Sequence, residues 1–82
     1  MSTMLAIMCT SNEQHRVLVE ACAEDWCPQH DSRYFAVFVV VSPDNTLLYD
    51  SWQPVRSIEQ LKAYDWFDDM NTTIINYEDL GL

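Results

Sequence analysis

The sequence contains little glycine, little positive charge and no long apolar run. Gly81 is its only glycine, so it cannot form a glycine-rich loop that cradles phosphate. The longest apolar run, 34–41, is far shorter than the roughly 20 residues that a membrane-spanning helix needs. Lys and Arg number 4 against 13 Asp and Glu, too few to neutralise a row of phosphates. These shortages argue against nucleotide binding through familiar motifs, direct nucleic-acid binding and a membrane partner.

Cysteine is also scarce, with only Cys9, Cys22 and Cys27. An odd number cannot pair completely within the chain, whereas a disulfide-stapled secreted domain normally carries a larger, even number. Residues 1–8 are partly apolar, but no Lys or Arg precedes them and no small-residue cleavage site follows, unlike a signal peptide. We therefore expect reduced thiols and a cytoplasmic location.

The sequence is rich in apolar side chains and in acidic residues. Hydrophobic residues make up 49% of the chain, enough for one core, and 82 residues are too few for two. We therefore predict a single acidic domain over 1–82. The net charge of −9 is uneven, with −3 over 1–43 and −6 over 44–82. Such a field repels nucleic acid and anionic membranes and attracts basic surfaces.

Four stretches have the composition of strands, namely 3–9, 33–42, 46–52 and 72–77. The first two are apolar on both alternating faces, which indicates strands covered on both sides, and the second is expected at the sheet centre. The third follows a Ser-Pro-Asp-Asn turn sequence and should return as an antiparallel hairpin partner. Alternation along it puts Tyr49 and Trp52 on opposite faces of the sheet.

A first helix is predicted over about 11–26. Thr10 or Ser11 can serve as the N-cap of this helix, and Glu13 or Gln14, three residues later, completes the capping box. The residues at helical spacing on its apolar face are Leu18, Ala21, Cys22 and Trp26.

A second capping box, at Ser57 and Gln60, predicts the start of another helix. Two endings are open for this helix: it continues to Met70, or it gives way to a loop past Tyr64. The resulting order, β-α-β-β-α-β, is that of the ferredoxin-like, split βαβ arrangement. We therefore predict an α+β fold, with a four-stranded antiparallel sheet and two helices on one of its faces. A β-α-β-β sheet whose last two elements pack differently has almost the same pattern and stays open as an alternative.

Cys22, Cys27 and His30, with Cys9 as a fourth ligand, are the candidates for a metal site, because zinc accepts such ligands. Buried thiols that act as small hydrophobes explain the cysteines without metal. A thiol enzyme would use Cys27, His30 and Asp31, but acidic surroundings raise a thiol pKa and disfavour the nucleophile. We therefore expect no enzyme, no metal and no cofactor. A small thiol or zinc-binding protein is kept as an alternative.

Aromatic and acidic residues interleave at 49–52, 64–69 and 76–79, and from position 64 onward there are five acids and no base. Aromatic side chains anchor interfaces, and carboxylates around them steer a basic partner. We expect that partner to be a basic nucleic-acid-binding protein or complex. The predicted partner-binding residues are Asp65, Asp68, Asp69, Glu78, Asp79, Trp66, Asp50, Glu20 and Glu24.

In size, charge and repeated carboxylates, the chain resembles the small acidic phage-encoded inhibitors that mimic DNA, including anti-CRISPR proteins. It is also similar in size and charge to bacterial nuclease-immunity proteins. The resemblance covers the composition of the whole chain and assigns no residue a role. It implies an inhibitor that occupies the nucleic-acid-binding cleft of a partner such as a CRISPR effector complex. An immunity protein or antitoxin is the alternative, and so is a regulatory subunit whose charge serves solubility.

Overall fold

Strands and helices follow one another in the predicted order. A computed structural model describes residues 3–81, so the ends of the predicted 1–82 domain, 1–2 and 82, lie outside the described residues. The elements are β1 (Thr3–Cys9), α1 (Asn12–Ala21), β2 (Phe35–Val41), β3 (Leu47–Pro54), α2 (Ile58–Lys62), β4 (Thr72–Asn76) and a terminal 3₁₀ helix (Tyr77–Leu80). The predicted α+β class and four-stranded sheet with two helices are confirmed.

The sheet is mixed, with the strand order β3-β2-β1-β4. β2 is antiparallel to both β1 and β3, but β4 runs parallel to β1, with Ile74 opposite Ala6. The prediction of a wholly antiparallel sheet is therefore wrong. β3 already runs in the direction of β1, and the crossover through α2 brings the chain back to the same end of the sheet, so β4 runs parallel. The ferredoxin-like order is not confirmed, because β1 and β2 are direct neighbours with no strand between them.

Each face of the sheet is covered by one helix. On one face Ile7 and Val37 pack with Leu18 of α1, and on the other Ala6 packs with Leu61 of α2. The prediction of both helices on one face is wrong, because central strands that are apolar on both sides need cover on both. β2 lies inside the sheet as predicted, and five of its seven residues are buried.

Both helices begin at predicted capping residues. The hydroxyls of Ser11 and Ser57 accept the N–H groups of Gln14 at 3.3 Å and Gln60 at 3.1 Å. Each glutamine side chain in turn accepts the backbone N–H that precedes the cap. α2 ends at Lys62, so the observed ending is the predicted loop rather than a helix that runs on.

α1 ends five residues before the predicted helix does. Ala23 adopts the left-handed conformation, with φ at 58°, and its N–H donates to the carbonyl of Glu20. The N–H of Glu24 donates to the carbonyl of Val19, which completes a Schellman ending. Trp26 was expected on the apolar face of the helix, but it lies in the following loop with 46% of its surface exposed.

A β-bulge interrupts the pairing of β2 with β3. The register shifts between Phe38 and Val39, which leaves Asp50 as the extra residue on β3. An extra residue reverses the alternation of side chains beyond it. Tyr49 and Trp52 therefore both face α1, and the prediction that they lie on opposite faces is wrong.

Candidate functional site

All thirteen carboxylates of the chain are exposed, and so are all nine residues predicted to bind a partner. Few carboxylates have a basic partner. Arg16 pairs with Glu13 and Glu20, and Lys62 lies 3.7 Å from Asp69. Within residues 3–81 the other ten carboxylates form no ion pair. The surface therefore presents uncompensated negative charge.

The predicted partner-binding residues do not form one patch. Asp50, Trp66 and Asp68 line a single groove on the α2 face of the sheet. Glu78 follows the other end of β4 and lines a separate depression, while Glu20 lies on α1. The remaining four are sequence neighbours of these or follow α1, namely Asp65, Asp69, Asp79 and Glu24. Negative charge is thus spread over both faces rather than gathered in the C-terminal segment.

The groove lies between β3 and the segment that precedes β4, and its volume is about 430 Å³. Met4 and Phe38 supply apolar surface from the sheet, and Trp66 supplies an aromatic ring. Asp50 and Asp68 are its two charged residues, and no Lys, Arg or His lines it among the described residues. The groove thus combines apolar lining with negative charge.

Trp66 is held by two aromatic neighbours while half of it stays exposed. Its ring stacks on Tyr64 with centroids 5.0 Å apart and meets Phe38 edge-on at 5.6 Å. Its exposed fraction is 52%. An aromatic ring that is fixed on one side and open on the other is typical of an interface anchor.

The two carboxylates of the groove differ in their surroundings. Asp68 accepts the N–H groups of Met70 at 3.2 Å and Asn71 at 3.3 Å, and the side-chain amide of Asn71 at 2.7 Å. These hydrogen bonds, above all the one from the Asn71 side chain, hold the pKa of Asp68 below its ordinary value. Within residues 3–81, the side chain of Asp50 accepts a hydrogen bond only from the Ser51 hydroxyl, at 3.1 Å. The side chain of Asp68 therefore stabilises its own loop. Within residues 3–81, the side chain of Asp50 makes no comparable set of hydrogen bonds.

Sequence reasoning missed His15 of α1, whose ring is fully buried. The rings within 5.8 Å of it, centroid to centroid, are those of Trp26, His30, Phe35, Tyr49 and Trp52. A signal was present, because His15 stands three and seven residues before Leu18 and Cys22, the spacing of the buried face of a helix.

Hydrogen bonds run through this cluster in one direction. The N–H of Ser32 donates to Nδ1 of His30 at 3.3 Å, so neutral His30 carries its proton on Nε2 and donates to Nδ1 of His15 at 3.1 Å. Nε2–H of His15 then donates to the Tyr49 hydroxyl at 2.9 Å. Burial, and then the proximity of His30, lower the pKa of His15 to about 4. Burial above all raises the pKa of Tyr49 to about 12, so both groups are neutral at pH 7.

In the part of the chain that the structure describes, the cysteines and histidines do not come together as a thiol site or a metal site. Cys9 and Cys22 are buried, and burial raises the pKa of Cys9 to about 12 and that of Cys22 above its ordinary value. Cys27 is exposed, but both ring nitrogens of His30 are already hydrogen-bonded. Within residues 3–81, no three His, Cys, Asp or Glu side chains come together as metal ligands. Cys9 and Cys22 are therefore part of the apolar core.

No protein-family model, curated protein or solved structure matches this chain. Among the described residues, the helices are too short or too polar to cross a membrane. The resemblance to DNA-mimicking inhibitors therefore stays a prediction.

Proposed function

We propose that this protein is an acidic inhibitor that occupies the basic, nucleic-acid-binding cleft of a partner protein. The observation that supports the proposal is the set of ten exposed carboxylates without an ion pair within residues 3–81. Like charges on so small a domain repel one another and work against the compact state. Their retention on the surface favours a role in binding over a role in folding.

The physical basis of inhibition is competition for the same cations. Lys and Arg contacts to phosphate supply a large part of the affinity of nucleic-acid-binding proteins and carry no sequence information. A surface dense in carboxylates attracts the same side chains, over roughly 8 Å at physiological ionic strength. Occupation of the cleft by this protein then excludes nucleic acid, and no bond has to be made or broken.

The proposal is tested by capturing the partner from a nuclease-treated host lysate on the immobilised protein. We expect a nucleic-acid-binding protein that is retained at about 50 mM NaCl and released at about 500 mM, because screening weakens contacts between exposed charges. An excess of duplex DNA or of RNA should displace it at low salt. A captured protein that stays bound in the presence of both nucleic acids would contradict cleft occupation.

A charge-neutralised variant provides the specific comparison. Asp65→Asn, Glu78→Gln and Asp79→Asn together remove three exposed charges whose side chains form no hydrogen bond or ion pair within residues 3–81. Capture should weaken and its salt dependence should flatten. The matched control is Gln29→Ala with Thr73→Ser, two exposed changes that leave the net charge at −9. Equal capture by the two variants would argue against a role of these charges.

A further inference from the structure

The groove on the α2 face has two chemical features that seldom suit the same ligand. Met4, Phe38 and Phe67 give it an apolar lining, and Asp50 and Asp68 give it negative charge. An apolar ligand would desolvate the carboxylates without pairing them, and a small cation would leave the apolar lining uncovered. A long aliphatic stem that ends in a cation satisfies both features, and this is the structure of an arginine or lysine side chain.

We infer that the groove binds an arginine side chain of the partner, with its guanidinium between Asp50 and Asp68 and against the exposed surface of Trp66. The inference rests on the proposed function and gives that function one specific contact. Guanidinium is planar, so it stacks on an indole and pairs with a carboxylate at the same time. The ammonium of lysine is a compact point charge and lacks the planar fork.

The site is organised before a partner arrives. Trp66 already packs against Tyr64 and Phe38, so it loses little rotational freedom on binding. The carboxylate of Asp68 is already oriented by the amides of residues 70 and 71. The β-bulge makes Asp50 the extra residue of β3, and Asp50 lines the same groove.

No cation of this chain competes for the groove within residues 3–81. Lys62 pairs with Asp69, and Arg16 pairs with glutamates of its own helix. Arg33 and Arg56 line a different depression, at the C-terminal end of β3, and neither lines the groove. The charge of the groove is therefore available to a cation from outside.

The test is an NMR titration of the ¹⁵N-labelled full chain with the blocked tripeptide acetyl-Gly-Arg-Gly-amide. Shifts should centre on the amides of Asp50 and Ser51 and on the indole N–H of Trp66, and should saturate at millimolar peptide. The lysine analogue should bind about threefold more weakly, because it lacks the planar stacking contact. The uncharged citrulline analogue should not bind. Equal shifts with arginine and citrulline, or shifts as large at Asp79 as in the groove, would overturn the inference.

Two variants locate the contact. Asp50→Asn and Trp66→Leu should each raise the dissociation constant about three- to tenfold. Asp25→Asn removes the same charge from the exposed loop that follows α1 and should change the constant by less than about twofold, because distant exposed charges are screened. Asp68 is left unchanged because it holds its own loop.

The outcomes separate this inference from the proposed function. If Asp50→Asn and Asp25→Asn capture a partner equally well, with the expected dependence on salt and on nucleic acid, and the arginine peptide causes no shifts in the groove, the arginine site alone is overturned. Arginine-specific shifts in the groove without any such capture would support the site and contradict the proposed function.

Discussion

At the scale of single residues, the buried ring of His15 ties the stability of the fold to pH. Its pKa is about 4 in the folded protein against an ordinary 6.5, so the unfolded chain binds a proton that the folded protein rejects. The stabilising contribution is fully present above pH 6.5 and is lost as the pH falls from 6.5 toward 4. Between about pH 7.5 and about pH 5.5, we expect the free energy of unfolding in urea to fall by about 1 kcal/mol.

The ordinary pKa of histidine lies inside this pH window, so the slope reports on the histidines. Burial also lowers the pKa of His30, which therefore adds to the slope in the same direction. His15→Gln should flatten the slope whatever its effect on stability at neutral pH. If that variant does not fold, the ring of His15 in the unchanged protein can be titrated by NMR. A flat free energy over the window, or a ring that titrates near 6.5, would contradict the prediction.

The Tyr49 hydroxyl is the acceptor at the end of the same hydrogen-bond chain. Tyr49→Phe should lower the free energy of unfolding by about 1–3 kcal/mol, because Nε2–H of His15 is left buried without an acceptor. Tyr34→Phe makes the same change at a side chain that is 55% exposed, and should alter stability by less than about 0.5 kcal/mol. Equal, small losses in the two variants, measured by chemical denaturation, would mean that the His15–Tyr49 bond does not stabilise the fold.

At the scale of elements, the residue that ends α1 has a strained backbone conformation, and glycine at that position would relieve it. Ala23 has a φ of 58°, which an L residue with a Cβ adopts at a penalty of about 1–2 kcal/mol and glycine adopts freely. Ala23→Gly should therefore raise the free energy of unfolding by about 0.5–1 kcal/mol, after the greater freedom of the unfolded glycine is subtracted. Ala21→Gly, two residues earlier in the helix, should lower it by up to about 1 kcal/mol. Destabilisation by both changes would argue against the left-handed ending.

The elements that the sequence could predict are those with local signals. Ser11 and Ser57 cap their helices through glutamines three residues away, and this spacing is visible in the sequence. The ending of α1 was missed because an alanine, rather than the usual glycine, occupies the left-handed position. The parallel pairing of β4 and the bulge at Asp50 depend on how distant segments pack, so they have no local signal.

The candidate site shows the same division between local and distant information. The exposure of the acids could be predicted, because an unpaired carboxylate is rarely buried. The groove could not, because Asp50 and Trp66 meet only after β3 and the segment before β4 have taken their places. His15 carried the helical spacing of a buried residue, but histidine is not usually assigned to a core.

At the scale of the whole molecule, the net charge of −9 makes the fold sensitive to salt. The described chain extends over 34 × 30 × 21 Å, so at about 0.01 M salt, where the screening length is about 30 Å, nearly every carboxylate repels every other. At about 0.15 M the length falls to about 8 Å, and only near neighbours still interact. Salt also weakens the ion pairs of Arg16 and Lys62, but these pairs are exposed and contribute little to stability.

Sodium chloride should therefore stabilise this protein rather than weaken it. If screening relieves about 1 kcal/mol of repulsion, Tm should rise by about 4–8 °C between the two salt concentrations. Calorimetry or circular dichroism can measure the shift, with chloride chosen because sulfate would also strengthen apolar burial. The variant Asp65→Asn, Glu78→Gln, Asp79→Asn should start from a higher Tm in low salt and gain less, because fewer charges remain to be screened. An equal gain in both proteins would mean that salt acts on something other than the repulsion between these carboxylates.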